Sequence, residues 1–300
     1  VTDDITWIGA SDRRLALFEN IFPISRGVSY NSYILVDEQT VLFDTVDASV
    51  AGQFFENLEA VLEGRTLDYL IVNHMEPDHC AMIGDIVRRY PDVKIVGNTK
   101  TFGMMNQFFG TDFAERSIVV KEGDTLSAGK HTLHFVMAPM VHWPEVMVTY
   151  ESAEKVLFAA DAFGKFGTLD TDEDWACEAR RYYFNIVGKY GMPVQALLKK
   201  TENLDIQIIC SLHGPILKED LGYYINLYKT WSSYEPEDKG VFIAYSTLHG
   251  NTGNAAKKLA ELLKEKGCPK VVVSDLARED MAECVEDAFR YDRMVLASPT

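Results

Sequence analysis

The stretch His74-Met75-Glu76-Pro77-Asp78-His79-Cys80 sets two imidazoles and two carboxylates within six consecutive positions. It follows an apolar strand, Leu67 to Val72. It leads into a segment in which Met82, Ile83, Ile86 and Val87 share one face at helical spacing before Pro91. His74, Glu76 and Asp78 stand at alternate positions, so an extended chain leaving the strand turns all three to one side. Asp78 is placed to cap the helix, and His79 enters from the helix start.

More residues of the same chemistry follow at strand ends. His142 lies in Met140-Val141-His142-Trp143-Pro144, Asp161 follows the strand Lys155 to Ala160, and His213 follows the strand Ile206 to Cys210. Several strands delivering His or Asp at their ends is how a rigid scaffold positions a site. Four histidines and three carboxylates exceed the needs of one metal. With Asp161 shared as a bridge, each of two metals receives two histidines and carboxylate oxygen. A carboxylate-rich set without thiolate suits iron or manganese better than structural zinc and leaves open positions, although zinc also accepts His and Asp. His131 and His134, on opposite faces of one strand and without a carboxylate partner, read as structural. Met75 and Cys80 read as packing residues, as do Trp143 and Trp231.

Composition bounds the rest. The chain has 300 residues, 47% apolar and 25% charged, enough for about two domains. A net charge of −16 with no cluster of Lys and Arg argues against nucleic acid or an anionic membrane as partner. The start, Val-Thr-Asp-Asp-Ile, does not read as a secretory signal, and no window of about 18 apolar residues reads as a membrane span. Five scattered cysteines without a C-x-x-C pair argue against a disulfide framework and against a thiolate metal site. The expected setting is a reducing cytoplasm.

Along the chain, Ser32–Val36 and Val41–Asp44 read as paired strands, Val93–Gly97 as a strand and Thr101–Phe109 as a helix. Ser117–Val136 reads as a strand meander turning at Ala128-Gly129-Lys130, and Val146–Tyr150 with Lys155–Ala160 as a hairpin. Helices are expected over Glu173–Tyr190 and Pro193–Glu202. These belong to a first domain over 1–232. Residues 233–240, polar and holding Pro236 and Gly240, read as a linker. Residues 241–300 then alternate strand, helix, strand, helix and strand, the pattern of a parallel sheet covered by helices. The first strand-to-helix turn, Tyr245-Ser246-Thr247-Leu248-His249-Gly250-Asn251-Thr252, is neither a Walker A loop nor G-x-G-x-x-G. Its hydroxyls, amide and backbone N–H groups at a helix start suit a mononucleotide phosphate held without a cation.

The stretch from His74 to His79 resembles the H-x-H-x-D-H signature of the metallo-β-lactamase superfamily, with Glu76 where the second histidine of the zinc hydrolases stands. Together with His142, Asp161, His213 and the following α/β module, the whole chain resembles the flavodiiron proteins, and all seven ligand positions are filled. The resemblance implies an α/β fold: a metallo-β-lactamase-like αββα sandwich, then the first part of a flavodoxin-like doubly wound parallel sheet. It implies two non-haem Fe ions, one bound by His74, Glu76 and His142, the other by Asp78, His79 and His213, with Asp161 bridging. It implies FMN held by Ser246, Thr247, Leu248, His249, Gly250, Asn251 and Thr252, with Ser298, Pro299 and Thr300 opening a loop toward the isoalloxazine. The implied activity is reduction of O2 to water, of NO to N2O, or of both. The implied partners are an electron donor such as rubredoxin or a reduced deazaflavin coenzyme, and a second copy in a head-to-tail homodimer or dimer of dimers. Tyr190 is a candidate proton donor. Replacing an imidazole by Glu76 adds negative charge and a hard oxygen donor, which favours a redox-active pair over zinc hydroxide. The rival readings are a dinuclear zinc hydrolase with an accessory flavodoxin-like domain, and an electron carrier or gas sensor without turnover.

Overall fold

The computed structural model describes residues 1–299. Two sheets face each other in the first 230 or so residues. The first has the order Ile5–Trp7, Tyr33–Val36, Thr40–Phe43, Tyr69–Ile71, Lys94–Gly97, Ser117–Val119. Its first three strands are antiparallel and its last four parallel. The second runs Thr125–Ser127, Thr132–Met137, Met147–Glu151, Val156–Phe158, Ile208–Cys210, with only the last pair parallel.

Strand residues are apolar on both faces because both faces are covered. Leu35, Phe43, Ile71 and Val96 meet Phe135, Met147, Val156 and Phe158 between the sheets, where Phe43 stacks on Phe158 at 3.7 Å between ring centroids. Their neighbours Ile34, Leu42, Leu70 and Ile95 point the other way and pack with Phe54 and Leu58 of helix Ala51–Leu62, Ile83 and Ile86 of helix Ile83–Arg89, and Met105 of helix Thr99–Phe109. On the far side, helices Gly191–Thr201 and Leu221–Ser232 give Val194, Leu197, Tyr228 and Trp231 to the same core. This is the αββα sandwich.

Three local expectations are corrected. Ser117–Val136 is not one meander: Ser117–Val119 pairs in parallel with Lys94–Gly97 in the first sheet, and the chain then crosses to open the second. The crossing turn is held by the Asp124 carboxylate accepting from the Lys121 N–H at 3.0 Å, and it lets Val120 fill the space between the sheets. His131 does have carboxylate partners, lying fully buried with Nδ1 3.0 Å from Glu151 and Nε2 3.2 Å from Asp4. Glu173–Tyr190 is not one helix. An α-helix over Trp175–Tyr182, started by the Asp174 side chain accepting from Ala176 N–H, widens to a π turn over Tyr183–Val187 and tightens to a 3-10 turn over Gly188–Tyr190.

Residues 238–297 form a separate parallel sheet, ordered Val271–Asp275, Asp238–Tyr245, Tyr291–Ala297. Helix Asn251–Glu265 covers one face through Ala256 and Ala260, and helix Met281–Arg290 the other through Cys284. The first strand starts at Asp238, within the polar stretch, because a bulge between Asp238 and Val241 keeps that stretch paired to Tyr291.

Two buried arginines of helix Trp175–Tyr182 join the modules. Arg180, 2% exposed, grips Glu237 through Nε at 2.7 Å and Nη2 at 2.6 Å, and its Nη1 lies 3.4 Å from Glu286. Trp231 Nε1 donates to the same Glu237 at 2.8 Å. Arg181 reaches Asp280 at 2.5 Å, Glu283 at 3.2 Å and the Pro23 carbonyl at 2.6 Å. Removing one partner of a buried ion pair strands the other's charge. Arg180→Ala should therefore lower unfolding stability by about 3 kcal/mol in urea titration. Arg180→Lys should recover only part of the loss, because an ammonium cannot hold Glu237 through a bidentate fork.

Candidate metal centre

The ligand-rich residues converge where strands of the two facing sheets end. Thr40–Phe43 leads to Asp44, Tyr69–Ile71 to His74, Val156–Phe158 to Asp161 and Ile208–Cys210 to His213. The buried Asp44 carboxylate fixes the start of the key stretch, accepting from Asn73 N–H at 2.7 Å, Asn73 Nδ2 at 2.8 Å and His74 N–H at 3.2 Å. Asp44, Met140, Ala160 and Phe163 all have positive φ, between 49° and 67°. Each such non-glycine residue costs of order 1 kcal/mol, and clustering of that cost marks a functional site. After Glu76 the chain makes one short helical turn, Pro77–Cys80, before helix Ile83–Arg89. Asp78 is not the cap it was expected to be: Pro77 begins the turn, and the Asp78 carboxylate makes no hydrogen bond.

All seven predicted residues are buried, and the structure brings them together as two adjoining groups. His74, Glu76, His142 and Asp161 form one; Asp78, His79 and His213 form the other. In the first, His74 Nε2 faces His142 Nε2 at 3.3 Å, and His142 Nε2 lies 3.0 Å from both Glu76 and Asp161 Oδ2. In the second, His79 Nε2 faces His213 Nε2 at 3.1 Å, and His213 Nε2 lies 3.3 Å from Asp78. Asp161 touches both groups, its Oδ1 lying 3.3 Å from His79 Nε2.

This arrangement calls for cations. Both Asp78 oxygens and Asp161 Oδ1 are buried without a hydrogen-bond partner among the described residues, a cost that persists only if something else satisfies them. Burial opposes charge on the His74 ring, yet Asp161, Glu145 and Glu76 hold its pKa well above the usual imidazole value. Burial likewise opposes charge on His142, but Asp161 and Glu76 raise it to about 9. Asp161 is held well below the usual carboxylate range by His74 and His79 despite its burial. Imidazole nitrogens and carboxylate oxygens converging from two sides fit a pair of divalent metals of the iron, manganese or zinc type.

Residues that the sequence did not single out complete the surroundings. Glu145, fully buried, lies 2.8 Å from His74 Nδ1; its one sequence signal is a carboxylate three residues after His142. His213 Nδ1 faces the Ser29 carbonyl at 2.7 Å. Phe18 and Trp143 wall the cluster, at 5.3 Å from the His213 and His74 rings respectively. An open cleft of about 550 Å³, lined by Phe18, Glu19, Tyr30, Asp47, Glu76 and Asp78, leads to it. Tyr190, the expected proton donor, instead precedes helix Gly191–Thr201 with the Lys189 ammonium over its ring. Tyr182 lies beside the cluster, as does Tyr30, with ring centroids 5.6 Å and 5.9 Å from that of His213, and the buried Tyr182 hydroxyl has no partner among the described residues. The π turn after Tyr182 follows from no simple periodicity, so the sequence does not show which tyrosine of this segment turns toward the cluster.

In the second module, Ser246 to Gly250 form the turn between strand Asp238–Tyr245 and helix Asn251–Glu265. The Thr247 hydroxyl accepts from Gly250 N–H at 3.0 Å, and Gly250 takes φ +88° at the helix start. Leu248 is exposed, and Asn251 and Thr252 begin the helix. Ser298 and Pro299 follow the last strand, and Thr300 lies outside the described residues.

The fold and the paired cluster define a metalloprotein of the metallo-β-lactamase type. Residues 28–214 match the family model described as ODP family beta lactamase. The nitric oxide reductase of Moorella thermoacetica is 32% identical over an alignment of 311 positions that covers 100% of this chain and 77% of that protein. The flavodiiron protein of Giardia intestinalis superposes with a TM-score of 0.92 at 25% identity, over 100% of this chain and 74% of that one. Rubredoxin oxygen:oxidoreductase from the anaerobe Desulfovibrio gigas superposes with a TM-score of 0.91 at 27% identity, over 99% and 76%. The chain belongs to the flavodiiron proteins.

His142→Ala should cost one of two bound metals per chain, whereas Asp161→Ala, which removes a carboxylate touching both groups, should cost both; metal analysis after dialysis reads the difference. Protons compete with metal for His142 below about pH 9. Apparent affinity in a chelator competition should therefore rise from pH 6.5 to 8.5, by about tenfold per pH unit for each proton displaced.

Proposed function

We propose that this protein reduces small diatomic gases, O2 to water or NO to N2O, at two irons that receive electrons from FMN. The observation that carries the reading is the buried cluster of four histidines and three carboxylates, with Glu76 in place of a histidine, in a chain of the flavodiiron family. His74, Glu76 and His142 would hold one iron and Asp78, His79 and His213 the other, with Asp161 between them. The turn Ser246 to Thr252, together with Ser298 and Pro299, would hold FMN. When bound, the irons supply one-electron chemistry and open positions for the gas, and the flavin supplies the electrons.

The chain's own residues do the rest. Glu76 and Asp161 supply hard anionic oxygen, which balances the charge of the metal pair. Phe18 and Trp143 exclude water from the imidazoles. Reduction of either gas consumes protons as well as electrons, and Tyr182, whose ring packs against His213, would be the donor. Burial, and then the charges of Asp161, Glu76 and Asp78, hold its pKa well above the ordinary phenol value, so the hydroxyl is protonated in the resting protein. The zinc hydrolase reading lacks support at Glu76 and leaves the second module without a role.

The names of relatives support both gases, one being a nitric oxide reductase and another a rubredoxin oxygen:oxidoreductase. The second name supports a rubredoxin-type donor, with a reduced deazaflavin coenzyme as the other candidate. A head-to-tail homodimer, or a dimer of such dimers, would bring the flavin of one copy near the metals of the other. Among the described residues no helix is long and apolar enough to cross a membrane, and the odd, scattered cysteines fit a cytoplasmic setting.

The deciding test is metal and flavin analysis of the full-length protein, followed by O2 and NO consumption under a chemical reductant. About two irons per chain with consumption of either gas supports the reading. Two zincs with no gas consumption after growth in iron-rich medium overturns it. Tyr182→Phe should keep both metals and lower kcat by about 100-fold, the usual scale for a positioned acid, with little change in KM. Tyr190→Phe should leave kcat unchanged.

A further inference from the structure

The four imidazoles of the cluster are not backed alike. Glu145, 1% exposed, places Oε1 2.8 Å from His74 Nδ1 and accepts the Met75 N–H at 2.8 Å with the same oxygen. Its other oxygen is buried with no partner among the described residues. His213 is backed by a neutral group, the Ser29 carbonyl at 2.7 Å, and His79 Nδ1 is buried with no partner among the described residues. The other nearby buried carboxylate, Asp44, is engaged by Asn73 N–H, Asn73 Nδ2 and His74 N–H. Among the described residues it makes no hydrogen bond to an imidazole ring.

We infer that Glu145 is a positioning residue that makes the two metal positions unequal. It fixes His74 with the proton on Nδ1 and the Nε2 lone pair toward the cluster, since a carboxylate accepts and cannot donate. It also adds a full negative charge behind the position built by His74, Glu76 and His142. That position then faces Glu76, the shared Asp161 and Glu145, whereas the other faces Asp78 and the shared Asp161. A metal ion is held more tightly in the first position, and its higher charge state is favoured there. This rests on the two-metal reading above and adds an order of strength within the pair.

The test uses the full-length protein with its metals in place, as wild type, Glu145→Gln and Glu145→Ala. Glutamine keeps an acceptor for Met75 N–H or His74 Nδ1–H and removes only the charge. The first readout is stepwise metal release to a chelator, which works with whichever divalent metal the protein carries. In Glu145→Gln one of the two metals should leave at about 10- to 100-fold lower chelator concentration, the usual scale for losing such a partner, while release of the other is unchanged. The second readout is a reductive titration of iron-loaded protein followed by electron paramagnetic resonance. The mixed-valence signal should persist over a narrower range of potential in Glu145→Gln than in wild type.

Equal effects on both metals, or a Glu145→Gln protein matching wild type while only Glu145→Ala is impaired, overturns the inference and leaves Glu145 as a holder of the Met75 backbone. A wild type that carries two zincs and no iron would sink the gas-reductase reading, yet stepwise release would still measure the inequality.

Discussion

Everything in this structure is organised around Asp161, a fully buried carboxylate set between two pairs of facing imidazoles. An isolated carboxylate in a low-dielectric interior is costly by many kcal/mol and ordinarily protonates. Here the opposite holds, because His74 and His79 approach it from two sides and keep it ionised. The imidazoles meet in facing pairs, His74 with His142 at 3.3 Å and His79 with His213 at 3.1 Å between Nε2 atoms, so their ring nitrogens converge on the same space. Converging lone pairs and uncompensated carboxylate oxygens at the same point amount to a stored demand for positive charge. Two metals answer it.

That demand explains why the sandwich is built as it is. Ligands come from loops that follow strands of both sheets, so the sheets must keep their mutual register to within the tolerance of metal bonds. The stacked Phe43 and Phe158 lie between the sheets, and each belongs to a strand that leads straight to a polar site residue, Asp44 or Asp161. Packing there is dense and rotamer-limited, and it transmits position rather than absorbing error. The left-handed backbone of Asp44, Ala160 and Phe163 is the local cost of turning sharply off a strand end. It is tolerated because the core beneath over-determines it.

How much of this was legible in the sequence depends on which physical signal each part carries. The seven candidate ligands were visible because their residue types are rare in such density and each follows a strand. The single strands were visible as short apolar runs and the sandwich through the family resemblance, but the crossing of the chain between sheets after Val119 was not, since pairing partners leave no mark in a single strand's pattern. His131 was misread for a related reason: its partners Asp4 and Glu151 are distant in sequence, and only the fold brings them near. Glu145 and Tyr182 were missed because residues behind a ligand announce nothing by spacing. Glu145 looks like any surface acid after a Trp-Pro pair, and Tyr182 is one of two adjacent tyrosines whose directions are decided by a π turn. Helix Leu221–Ser232 was passed over because its apolar residues spread around much of its circumference.

Helix Trp175–Tyr182 joins these themes. At its C-terminal end Tyr182 leans on His213 and on Phe166, which itself packs against Phe18 over the cluster. One and two residues earlier, Arg181 and Arg180 clasp acids of the second module. Arg181 also lies over the Phe166 ring, 5.1 Å from its centroid. A single short element therefore carries both a tyrosine packed against a ring of the metal cluster and the ion pairs that seat the flavin-type domain. Any shift of that domain must either break buried charge pairs or drag Tyr182, and both are costly. The two modules are thus mechanically one body at this helix, so the geometry that serves the gas chemistry and the geometry that seats the second module are fixed by the same few side chains.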